Sequence, residues 1–163
     1  MQVESMPFLD RTYDEAKGLL LEARDYMQSF APADRALMTP LESLRSISEG
    51  LRMTTRLTEV MAWSLTQRAV QCGEMTREEA ATPQRRLGGQ EICLGECDAP
   101  EATLPPRLAG LLRRSLSLYR RTQRLDRLVA GEEMQFGSFH ICLAANGDYP
   151  AEERPGMSHM LLA

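Results

Sequence analysis

Between Pro40 and Gly73 no helix breaker stronger than Gly50 occurs, and this stretch constrains the fold more than any other. Thr39-Pro-Leu-Glu42 opens it as a capping box. The Thr39 hydroxyl can accept from the Glu42 N–H while Glu42 reaches back, and Pro40 stands at the first helical position, where its missing N–H is no loss. About 35 residues at 1.5 Å each make a rod of about 50 Å, far longer than a typical globular helix. Gly50 costs about 1 kcal/mol relative to Ala, which a well-packed helix absorbs. A helix of this length needs covering on more than one side. Leu44, Ile47, Leu51, Leu57, Met61, Leu65 and Cys72 form one apolar line; Met53, Val60, Trp63 and Val70 form another. One partner helix cannot cover both, so two neighbours, or one neighbour and a second subunit, are expected. The residues assigned to a protein–protein contact on this helix are Met53, Val60 and Trp63.

Two flanking helices are legible. Upstream, Thr12-Tyr-Asp-Glu15 reads as a capping box, and Tyr13, Ala16, Leu20, Ala23, Met27 and Phe30 recur at alternating spacings of three and four, widened by Leu19 and Tyr26. Pro32 is expected to end that helix. Downstream, Pro105-Pro106 starts a helix whose apolar line is Leu108, Leu111, Ser115, Leu118, Thr122, Leu125 and Val129, with Gly131 as its C-cap. Between the second and third helices, Thr76-Arg-Glu-Glu79 is a further capping signature. Leu87 to Pro106 carries several Gly and Pro residues and reads as an exposed connection. The expected fold is all-α: an antiparallel three-helix bundle with a long central helix, dimeric, spanning residues 1–130. Residues 131–163, acidic and rich in breakers, form a flexible tail, in which the apolar run Phe136–Leu143 can pack back on the bundle.

Composition narrows the functional classes. Hydrophobic residues make up 43% and aromatics only 6%, which suits an aliphatic helical core. The net charge of −4 gives no general attraction to nucleic acid or anionic membrane. No apolar run approaches a membrane span, and no basic and apolar leader opens the chain, so a cytoplasmic protein with free thiols is expected. The exception in charge is the third helix, where Arg107, Arg113, Arg114, Arg120, Arg121, Arg124 and Arg127 stand against Asp126 alone. A solvated face is the common explanation. Arg113, Arg114, Arg120 and Arg121 are assigned to docking of an acidic protein partner or of the chain's own acidic tail. The alternative is a nucleic-acid-associated regulatory protein whose Arg face contacts phosphates, weakened by the absence of interleaved aromatics. On the middle helix Glu42, Arg45, Glu49, Arg52, Arg56 and Glu59 read as an exposed strip of alternating charge.

Catalytic constellations are missing. Both histidines, His140 and His159, lie in the last segment, and neither a nucleophile elbow nor a phosphate-binding glycine loop is present. Cys93, Cys97, His140 and Cys142 are ligand types that zinc accepts, but His140-x-Cys142 is spaced too tightly for a usual structural site. No enzyme activity, cofactor or metal is expected.

The middle helix also carries a resemblance. Leu51-Arg-Met-Thr-Thr-Arg-Leu57, Val60-Met-Ala-Trp63, Gln67-Arg-Ala-Val70 and Gly73-Glu-Met-Thr76 resemble the alphaproteobacterial family of the regulator of CtrA degradation, RcdA. The likeness continues in Leu104-Pro105 with Leu108, in Arg114-Ser115 and in Arg124-Leu-Asp126, and covers roughly residues 8 to 130. It implies a dimeric three-helix bundle acting as a non-enzymatic adaptor. The implied partners are a second copy, the AAA+ protease complex ClpXP and a response-regulator adaptor, with cell-cycle regulators as cargo. Pro83 departs from the pattern, and the tail beyond Gly131 offers no match.

Overall fold

The computed structural model describes residues 7–95 and 103–131. Among these the chain is helical: α1 (Pro7–Asp25), a widened π turn (Tyr26–Phe30), α2 (Ala31–Ala36), α3 (Pro40–Gln71), α4 (Arg77–Ala80), α5 (Gln90–Leu94) and α6 (Pro106–Val129). The expectations for the tail, including Phe136–Leu143, His140 and His159, lie outside the described residues.

The capping reading holds at two sites of three. Thr39 and Thr76 each accept from the backbone N–H three residues on, and Glu42 and Glu79 accept in return. Backbone donation from Thr39 and Thr76 holds both carboxyls below their ordinary pKa. Thr12 is not a cap. The first helix already begins at Pro7, so Thr12 has a carbonyl four residues upstream and donates to it, Phe8 O, at 2.8 Å. Pro32 does not end the first helix either. Its ring would clash with the carbonyl four residues back, and it has no N–H to offer. The chain widens by one residue instead, with the Ala31 N–H reaching Tyr26 O, and α2 restarts with Pro32 in its first turn. The wide turn keeps Tyr26 buried, its hydroxyl donating to Asp34 Oδ2 at 2.9 Å.

α3 runs 32 residues, about 48 Å at the helical rise. Three pairings fix the directions of the long helices. Asp10 of α1 meets Arg68 of α3, and Met27 packs on Gly50, so these two helices are antiparallel. Glu15 and Glu22 of α1 meet Arg121 and Arg114 of α6, again antiparallel. Consequently α3 and α6 run side by side in the same direction, as Arg56 to Leu112 and Trp63 to Asp126 confirm. The bundle is antiparallel about α1 only. Parallel neighbours cannot be joined by a short turn, so the chain must return the length of the bundle between Gln71 and Pro106.

That return is a packed strap and not the exposed connection expected. Gly73, at φ +74, stops α3; Arg86 and Leu87 then lie against Asp126, Gly88 against Tyr119, Cys93 against Arg56 and Gly95 against Arg52. Leu87, Cys93 and Leu104 are buried in the main core. Leu9, Ala16, Leu19 and Ala23 of α1, Met53, Leu57, Val60 and Trp63 of α3, and Leu108, Leu111, Leu118 and Tyr119 of α6 supply the rest. No helix among the described residues is long and apolar enough to cross a membrane.

Candidate docking surface

Helical position decides what each face of α3 can do. Met53, Val60 and Trp63, expected to meet a second subunit, are 0%, 0% and 1% exposed. The parallel arrangement of α3 and α6 encloses them, and the Trp63 indole N–H donates to Asp126 Oδ1 at 2.8 Å. They belong to the core of the chain and leave no surface for a partner. The surplus lies on the opposite side. Leu44, Ile47, Leu51 and Leu65 are 61%, 43%, 65% and 50% exposed.

Ser48, Thr54, Thr55, Thr58, Ala62 and Thr66 share this outer side, and none of the ten is charged. The outer face of a surface helix is ordinarily its most charged one. The hydroxyls do not make the stripe polar, because Ser48, Thr54, Thr55, Thr58 and Thr66 each donate to the carbonyl four residues upstream, at 2.9–3.2 Å. With the donors spent inside the helix, the threonine methyls are left to face outward. Leu44, Ile47, Leu51, Thr54, Thr58, Met61 and Leu65 alternate by three and four, the spacing of a helix–helix seam. Small residues in its second half allow close approach of another backbone.

Two residues of the charged strip beside this face are not solvated as expected. Arg56 is 4% and Glu49 2% exposed. Arg56 Nε donates to Cys93 O at 2.7 Å and a terminal nitrogen reaches Leu112 O at 3.5 Å, so one side chain joins α3 to the strap and to α6. Glu49 Oε1 faces Arg52 at 3.4 Å without a hydrogen bond. Burial lowers the Arg56 pKa and pushes the Cys93 thiol up. Gly88 and Gly89 let the strap cross close over Glu59, and Gly89 takes φ +71 at the start of α5. Replacing Arg56 by Met keeps the apolar stem but leaves the Cys93 and Leu112 carbonyls without their donor. The expected result is a loss of about 1–2 kcal/mol, with faster amide exchange across residues 88–95 by mass spectrometry.

The basic face of α6 divides. Arg113, Arg114, Arg120 and Arg121 are all exposed. Arg114 pairs with Glu22 at 2.6 Å and Arg121 with Glu15, so two of the four are engaged by α1. Each pair is about half exposed and contributes at most about 0.5–1 kcal/mol. Arg107 lies over the Phe30 ring, 3.7 Å from its centroid. Asp126, read as the lone acid of this face, is instead buried. Sequence reasoning missed Arg56, Arg86 and Asp126 as structural centres, although Arg56 sits between Met53 and Val60 on the core side of the helix, a position that could have signalled it. Of the four zinc-type residues only Cys93 is described; it is buried in α5 as a free thiol, and Cys97, His140 and Cys142 lie outside the described residues. No group of three His, Cys, Asp or Glu able to hold a metal occurs among the described residues.

Comparison with known proteins finds similarity to a family model and to a solved structure. The family model "Protein of unknown function (DUF1465)" matches residues 2–139. The crystal structure of RcdA from Caulobacter crescentus CB15 is similar with a TM-score of 0.61 and 32% sequence identity, covering 78% of this chain and 95% of that one. No curated protein sequence matches the chain.

Proposed function

We propose a function from one premise: this chain belongs to the RcdA family, the proteins of the DUF1465 model. It acts as a non-enzymatic adaptor in regulated proteolysis, bringing cell-cycle regulators to the ClpXP protease by protein–protein binding in the cytoplasm. An adaptor works by raising the local concentration of cargo at the unfoldase, which needs docking faces and no chemistry of its own. The observation that carries the reading beyond family membership is the uncharged outer stripe of α3 from Leu44 to Leu65. Large exposed apolar patches on otherwise polar proteins mark interaction sites.

The stripe pairs two copies of the chain across a twofold axis, α3 against α3, leaving the basic side of α6, with Arg113, Arg114, Arg120 and Arg121 on its surface, turned to an acidic partner surface. A response-regulator adaptor and the AAA+ unfoldase are the partners proposed for the dimer. The test is a pull-down of the tagged full chain with purified unfoldase, with and without the response regulator. Retention of the unfoldase in at least one of the two is expected. A folded, dimeric sample that retains neither protein overturns the reading.

A further inference from the structure

A second apolar opening lies at the other end of the molecule, where α1 begins and α3 and α6 end. It is a groove of about 340 Å³ bordered by α4. Phe8, Val70, Leu128 and Val129 line it; Phe8 is 39% exposed, and Leu128 and Val129 are 56% exposed each. Single exposed apolar residues are ordinary, but these adjoin one another around one concavity. Its polar lining is incomplete. The Gln71 side-chain Nε2 is buried there without a hydrogen-bond partner, a donor that calls for an acceptor. Arg77 stands exposed on the lining, and Arg86 is held by Asp126 on the floor.

The chain leaves from this same groove. Leu128, Val129 and Ala130 are part of its wall, and Gly131, at φ +73, turns the backbone at the end of α6. The next residues are Glu132 and Glu133, then Met134, Phe136, Phe139, Ile141 and Leu143 among small and polar ones. Five residues lead from Gly131 to Phe136 and span up to about 17 Å when extended, enough to bring an aromatic ring back over the opening. In sequence the acids come first and the apolar residues follow. The family model also runs on through residue 139, past the domain boundary between 130 and 131 that composition suggested. Both phenylalanines therefore fall within the residues that the family model matches.

We infer that this groove is the docking site of the chain's own segment Glu132–Leu143, with Phe136 and Phe139 as anchors against Phe8, Leu128 and Val129. A backbone carbonyl of the segment accepts from Gln71, and Glu132 and Glu133 face Arg77. The inference is independent of the adaptor reading.

Hydrogen exchange read by mass spectrometry on the full chain tests it, with two double variants, Phe136→Ser with Phe139→Ser and Leu128→Glu with Val129→Glu. The second pair is exposed, so the helices should survive, which circular dichroism checks. Amides of residues 133–143 are expected to exchange at least about tenfold more slowly than an unstructured peptide in the parent chain, as for a locally closed segment, and at the unstructured rate in both variants. Unstructured exchange in the parent overturns the inference, as does slow exchange that survives both double substitutions. Protection that disappears on dilution assigns the contact to a second copy and equally overturns docking within one chain.

Discussion

Replacing Asp126 by alanine is expected to remove about 3 kcal/mol of stability, read as a lowered urea midpoint with an unchanged slope. One buried carboxylate, 5% exposed, serves three donors from two other parts of the chain. Oδ1 accepts from the Trp63 indole at 2.8 Å and lies 3.5 Å from the Leu87 N–H; Oδ2 takes Arg86 at 2.9 and 3.3 Å. Alanine strands a buried indole N–H and a guanidinium at once. Because Arg86 keeps 27% of its side-chain surface, water recovers part of its solvation, which places the estimate at the low end of the range for a broken buried pair. Against a typical total of about 5–15 kcal/mol, the loss is a large fraction. Asn at the same position retains an oxygen for Trp63 and should cost about half as much. The alanine variant should also be cut more readily by protease within residues 81–95, since Arg86 and Leu87 lose the contact that starts the strap along the bundle. Equal midpoints for the parent and the alanine variant would show that Asp126 does not organise this end of the molecule.

The parts of this fold that periodicity exposes are those whose physics is local. Thr39 and Thr76 cap as read because the chain before each is not helical, which frees the hydroxyl to accept from the next turn. Thr12 has the same spacing to Glu15, but Pro7 has already begun the helix, and four residues cannot reveal what precedes them. Pro32 illustrates the same limit. A proline forbids one hydrogen bond, and whether the chain stops or widens to Tyr26–Phe30 is decided by what burying Tyr26 returns. The existence of the long helices, the left-handed Gly131 just past the end of α6 and the all-α class followed from spacing.

Direction did not. Nothing in the apolar lines says that α3 and α6 run parallel, and that fact rearranges the assignments around it. It turns a loop rich in Gly and Pro into a strap, moves Trp63 from a surface to the centre of the core, and draws Arg56, Glu49 and Asp126 from solvated faces into buried contacts. Of the candidate docking residues, Arg113, Arg114, Arg120 and Arg121 remain on the surface, and Met53, Val60 and Trp63 do not. The line that replaces them was visible as Leu44, Ile47, Leu51 and Leu65. Its meaning depended on knowing which of two apolar lines the neighbours covered.

Substituting Leu51 by Glu is accordingly expected to convert the proposed dimer to a monomer with the helical content of the parent. Leu51 is 65% exposed in the single chain, so a carboxylate there is solvated and costs the fold little. In a twofold pairing of α3 stripes each substitution occurs twice, and each carboxylate is transferred from water to a surface of leucine side chains and threonine methyls whose hydroxyls are already engaged. Removing a charge from water without a partner costs several kcal/mol; a weakening of at least about 100-fold in the dimer dissociation constant, or about 3 kcal/mol, is the expected minimum. Leu37→Glu is the control. Leu37 is 91% exposed and lies before α3, so association should be unchanged. Trp63→Ala should behave differently from both, losing about 3–5 kcal/mol of folding stability through the cavity it opens. Light scattering across a dilution series, with circular dichroism on the same samples, separates the three outcomes. A Leu51→Glu chain that stays dimeric at the concentration where the parent dissociates would remove the α3 stripe as the interface.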